Sequence, residues 1–76
     1  MEELVKSIAL ALVDNKDEVS VSTTDKEGEI VIELRVAPSD MGKVIGKHGR
    51  IAKAIRVVVK AGAAKVGESV NVEIIQ

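Results

Sequence analysis

Neither an aromatic side chain nor a cysteine occurs anywhere in the 76 residues. A chain of this length buries only ~60% of its unfolded surface, and small domains often lean on disulfides or a metal. With no cysteine and a single histidine, the chain must be held by aliphatic packing alone. The supply is large: valine and isoleucine account for 21 residues, and 46% of the chain is hydrophobic. That content excludes a disordered tail. The missing cysteines and the single histidine exclude a zinc or thiol enzyme, so no metal site and no cofactor are expected. One small domain, residues 1–76, is the reading the length allows.

The first residues are apolar enough to suggest an export signal, but Glu2 and Glu3 stand where the positive region would be and Lys6 interrupts the run. No apolar run approaches the length of a membrane span. A cytoplasmic protein with no membrane contact is expected, in keeping with the absence of cysteine.

Charge is divided along the chain. Residues 1–40 hold ten acids and four bases, whereas residues 41–65 hold seven bases and no acid, although the whole chain carries only −1. Such a run is a polyanion footprint inside an acidic protein.

Leu4, Ile8 and Leu12, flanked by Val5 and Val13, recur every four residues and predict one face of a helix over about 2–13. Val19, Val21 and Thr23, then Ile30, Ile32, Leu34 and Val36, alternate with other residues as two half-buried strands do. Asp25-Lys26-Glu27-Gly28 reads as the turn between them, with Gly28 supplying the positive φ. Pro38 ends the second strand, and Ser39 or Asp40 is placed to cap a short helix that Gly46 and Gly49 interrupt. A longer helix over about 50–66 closes at Gly67, and Val70, Val72 and Ile74 form a last strand. The order is α-β-β-α-α-β. It predicts an α+β fold with helices on one face of a three-stranded sheet, mixed or antiparallel.

The stretch Gly42-Lys43-Val44-Ile45-Gly46-Lys47-His48-Gly49-Arg50 carries the chemistry. A P-loop needs four residues between its glycines and a Ser or Thr after the lysine, and neither condition is met. A dinucleotide fingerprint fails because the glycine pair follows no strand. What remains is a tight G-x-x-G turn between helices, whose glycines allow a backbone to approach and whose following helix directs amides outward. A phosphodiester fits it. Catalysis is not expected and no catalytic residue is assigned, since His48 lies in a cationic loop without an acidic orienter.

Val44-Ile45-Gly46-Lys47-His48-Gly49, followed by Ile55, resembles the KH-domain signature, whose GXXG loop clamps about four nucleotides. The element order resembles the type II arrangement, over the whole chain. In size the chain is similar to the KhpA family of small single-KH bacterial RNA-binding proteins. The resemblance implies binding of single-stranded RNA in the cytoplasm, an RNA-chaperone or post-transcriptional role, and association with a larger KH-containing partner of the KhpB kind. In some bacteria it implies a link to cell-wall growth and cell shape. Ala52 departs from the pattern, which usually has a bulky aliphatic there.

On this reading Gly46 and Gly49 permit close approach, while Lys47, His48 and the amides at the Arg50 end of the helix hold phosphates. Lys43, Lys53 and Arg56 extend the track, and bases lie on an aliphatic floor that includes Ile45, since no aromatic is available for stacking. At ~100° per residue, Lys53, Arg56 and Lys60 fall within about 60° of one another, a stripe suited to a phosphate backbone. Lys65 reads as a solvated charge. The same projection puts Ala52, Ile55, Val59, Gly62 and Ala63 on the core face and leaves Ala54, Val57, Val58 and Ala61 on another. That second apolar face invites a partner, a second copy in a homodimer or the larger KH protein. The alternative to an RNA-binding protein is an interaction module whose main ligand is that partner, with RNA contact weak.

Overall fold

In the computed structural model, which describes residues 1–76, six regular elements follow in the expected order: α1 (Glu2–Leu12), β1 (Ser20–Lys26), β2 (Glu29–Arg35), α2 (Met41–Ile45), α3 (Arg50–Lys65) and β3 (Val70–Ile75). Single 3-10 turns lie at Lys16–Glu18, Pro38–Asp40 and Lys47–Gly49. The fold is α+β and of the type II KH kind. β2 is the central strand, antiparallel to β1, with Val21 opposite Leu34, and parallel to β3, with Ile30 opposite Val70. The sheet is therefore mixed. Parallel neighbours cannot be joined by a hairpin, and α2 and α3 together make the crossover.

The hairpin is tighter than the sequence suggests. The strands run on to Lys26 and Glu29, which face each other, and leave only Glu27 and Gly28 as the turn. Both have positive φ, 53° and 83°, as the primed two-residue turns that match strand twist require. Gly28 takes this conformation freely; Glu27 does so at a cost that the paired strands outweigh.

Ile32, Leu34, Val70 and Val72 belong to the one core cluster, with Val5 and Ala9 of α1 and Ile55, Val59 and Ala63 of α3. Aliphatic side chains buried this way stabilise by about 1.5–3 kcal/mol each. α1 falls where the sequence puts it, and the structure shows which stripe it buries. Its buried stripe is Val5, Ala9 and, just past the helix, Val13, whereas Leu4 is 40% exposed and Ile8 and Leu12 are half-buried. Both stripes repeat every four residues. The smaller one faces inward because a valine and an alanine let α1 lie close to the core.

α3 buries Ala52, Ile55, Val59 and Ala63, as the projection predicts, and half-buried Gly62 is covered by the Met1 side chain. Ala52, unusual in size for its position, is nearly fully enclosed. The helix ends in a Schellman motif: Glu68 N–H donates to the Ala63 carbonyl (3.0 Å) and Gly67 N–H to that of Ala64 (3.2 Å), with Gly67 at φ 72°. No helix is long and apolar enough to cross a membrane.

Candidate nucleic-acid interface

α2 is only five residues long, so its helical bonds contribute little and its ends decide where it points. Its C-terminal end is Gly46, at φ 78° and ψ 173°, a region that essentially only glycine occupies. Gly46 N–H donates back to the Gly42 carbonyl (2.9 Å). A Cβ at Gly46 would stand 2.6 Å from Cγ1 and 3.0 Å from Cβ of Ile51. The chain then turns through Lys47, His48 at φ 58° and Gly49 at φ 72°, and Gly49 N–H closes the turn on the Gly46 carbonyl (3.1 Å).

The two glycines have different tasks. Gly46 lets the loop pack against the first turn of α3. Gly49 has nothing within 4 Å of where its Cβ would be, so the space in front of the turn is open to a ligand backbone. His48 in the left-handed region was not foreseen; histidine is among the few side chains that tolerate it. The Arg50 N–H donates to the Lys47 carbonyl, so that amide serves the turn and is not free for phosphate as the sequence reading supposed.

Lys47, His48, Arg50, Lys53 and Arg56 are all exposed, and Ile45 lies half-buried beneath the loop, packed on the core cluster. Arg56 Nε donates to the Val72 carbonyl (3.2 Å), which places it beside the edge strand β3. Lys53 and Lys60, three before and four after it, share that side of α3. None of Lys47, Arg50, Lys53, Arg56 and Lys60 has a carboxylate within 4.0 Å, the molecule's ion pairs being those of Lys43 alone. An unneutralised positive track thus runs from the loop along the β3 side of α3.

Lys43 is placed differently. Its ammonium pairs with the Asp14 carboxylate and lies 3.5 Å from Asp40, so its charge is largely answered within the protein. The hydrogen bond to Asp14 is the leading cause that raises its pKa.

Asp40 was missed as a site residue. It is the N-cap residue just before the short helix, but its side chain makes no capping bond there; it turns the other way. Its carboxylate, 1% exposed, accepts the backbone N–H groups of Asn15 (2.9 Å) and Asp14 (3.2 Å), the Asn15 side-chain amide (3.0 Å) and Lys43 (3.5 Å). The Asn15 backbone bond, above all, holds its pKa at about 2, below the ordinary 3.8, against the opposing effect of burial. A carboxylate depressed on folding contributes stability that is complete above the ordinary value and lost as pH falls through the folded one. Unfolding midpoints in urea are therefore expected to decline from about pH 4 towards pH 2. In Asp40→Asn that part of the decline should be absent, and an equally steep acid limb in the variant would show that other carboxylates cause it.

Ala54, Val57, Val58 and Ala61 are exposed, Val57 at 59% and Val58 at 48%. Ala54 and Val58 line an almost wholly apolar groove with Ile8 and Leu12 of α1, Ile51 and Ile55, and Arg50 at its rim. Ile8 and Leu12 of α1 thus extend the surface that the α3 residues begin, with Arg56 on the side of α3 toward β3 and Arg50 at the groove toward α1.

Residues 2–74 match the family model for the KH domain of KhpA/KhpB. The chain is 63% identical over 75 residues to a protein of Caldanaerobacter subterraneus subsp. tengcongensis and 60% identical over 75 residues to one of Clostridium acetobutylicum. Each alignment covers 99% of this chain and 100% of the relative, and each relative is named RNA-binding protein KhpA. A protein of the same name from Aquifex aeolicus is 47% identical over 76 residues, 100% of this chain and 96% of its own. No solved structure matches. With its fold, its G-x-x-G turn and relatives of matching length, the chain belongs to the KhpA/KhpB KH-domain family.

Proposed function

We propose that the protein binds single-stranded RNA, without chemistry, by clamping the phosphate backbone at Gly46-Lys47-His48-Gly49 and along Arg50, Lys53 and Arg56. The observation that carries this is the unpaired basic track that starts at a glycine turn open to solvent. Ile45 offers bases an apolar floor, and Lys43 adds long-range attraction only, its contact being taken by Asp14. The relatives' name supports RNA as the polyanion. The role that follows is that of an RNA chaperone or post-transcriptional regulator in the cytoplasm.

One KH module grips only about four nucleotides, so joining two raises avidity without new contacts. The apolar side of α3 serves this purpose, in a homodimer or with a larger KH-containing partner of the KhpB kind. The exposed Val57 and Val58 also support the second reading, in which the partner is the main ligand and RNA contact is weak.

The test is Lys47→Asp with His48→Asp, both on an exposed loop where substitutions cost little stability. Fluorescence anisotropy with a labelled RNA oligonucleotide is expected to show binding by the natural protein and none by the folded double variant. About four phosphate contacts give a slope of log K against log salt of roughly −2 to −3. Equal affinity in the double variant sinks the loop assignment. No binding by the natural protein favours the partner reading.

A further inference from the structure

We propose that Asp40 is the positioning residue of the loop: its buried carboxylate, gripped by Asp14, Asn15 and Lys43, sets the direction in which α2 delivers Gly46 and Lys47. The proposal rests on the reading that this loop grips RNA. α2 is held by Val44 in the core, by half-buried Met41 and Ile45 packed on it, and by Asp40 at its N-terminal end. The loop is the far end of this short lever, and with a rise of 1.5 Å per residue a 10° tilt about Asp40 moves Gly46 by about 1.6 Å.

The grip reaches beyond α2. Asp14 and Asn15 follow directly on α1 and Val13, so Asp40 ties the end of one helix to the start of another across 25 and 26 residues of sequence. Asn15 adds a second tether, its amide donating also to Ser39 Oγ (3.1 Å). A residue needed only to start the helix would use its carboxylate on the helix's own amides. This one accepts three bonds from Asp14 and Asn15, outside the helix, and only the fourth contact, to Lys43, comes from α2 itself; no buried polar side-chain atom lacks a partner.

The experiment compares the natural protein, Asp40→Asn and Asn15→Ala at a temperature where thermal melts show each fully folded. Affinity for a fluorescein-labelled RNA oligonucleotide and amide exchange at Lys47, His48 and Gly49 are read together. Asp40→Asn is expected to bind at least about fivefold more weakly, the equivalent of one good hydrogen bond, with faster loop exchange. Asn15→Ala, which removes the side-chain amide's bonds to Asp40 and Ser39 but keeps both backbone donors, should show a smaller change in the same direction. Unchanged affinity and exchange in folded Asp40→Asn overturn the proposal and leave Asp40 a stability residue only. Should Asp40→Asn not fold, unchanged affinity and exchange in Asn15→Ala overturn it equally. If the natural protein binds no RNA, the RNA reading fails while loop exchange still decides the role of Asp40.

Discussion

Gly46→Ala is expected to abolish RNA binding and to destabilise the protein by about 2–5 kcal/mol, whereas Gly49→Ala is expected to cost only about 1–2 kcal/mol. Both positions have positive φ, but the larger effect has a second source. A methyl group at Gly46 would meet Ile51 at three atoms, 2.6, 2.9 and 3.0 Å away. One of these is the Ile51 Cβ, which cannot rotate out of the way, so either the loop or the first turn of α3 must move. At Gly49 the added Cβ meets nothing, and the left-handed conformation is one that His48 beside it already accepts. At about 0.05–0.15 kcal/mol per residue the whole protein is held by ~4–11 kcal/mol, so Gly46→Ala takes a large share of its margin. Urea unfolding and RNA anisotropy on the two variants check this. Equal losses at the two glycines would mean that packing against Ile51 does not shape the loop.

The contrast between these glycines explains what sequence reasoning can and cannot reach. The G-x-x-G turn, the basic run after it and the core face of α3 are written in neighbouring residues, and the structure leaves Lys47, His48, Arg50, Lys53 and Arg56 exposed. The two helices between β2 and β3 left the sheet mixed or antiparallel, and the parallel pairing of β2 with β3 decides it. Asp40 was out of reach because an aspartate after Pro38-Ser39 has the signature of an ordinary cap, while its true partners lie 25 and 26 residues away. The ion pair of Lys43 escapes sequence for the same reason: Asp14, which holds it, lies 29 residues away. In α1 two stripes of equal period competed, and the choice between Leu4-Ile8-Leu12 and Val5-Ala9-Val13 is made by the space the rest of the fold leaves.

That choice bears on association, where Val57→Glu and Ile55→Glu are expected to separate two properties of α3. Ile55 is 2% exposed within the core cluster, and a carboxylate there would be buried without a partner, a cost of several kcal/mol that a small domain cannot absorb. Ile55→Glu should therefore fail to fold cooperatively. Val57, 59% exposed, should tolerate glutamate within about 0.5 kcal/mol. If two copies pack through the apolar side of α3, the same substitution places like charges across the contact, and light scattering should fall from the mass of a dimer to that of a monomer. Val58→Glu should do likewise, because Val58 lines the groove with Ile8 and Leu12. Val57 lies between Lys53 and Lys60 on the helix, four residues after one and three before the other, so Val57→Glu should also weaken the salt slope of RNA binding, whereas Val58→Glu, on the groove side, should keep that slope while losing affinity for long RNA, to which two linked loops bind together. A monomer in the unmutated protein at high micromolar concentration defeats the homodimer and leaves that face to the larger KH partner.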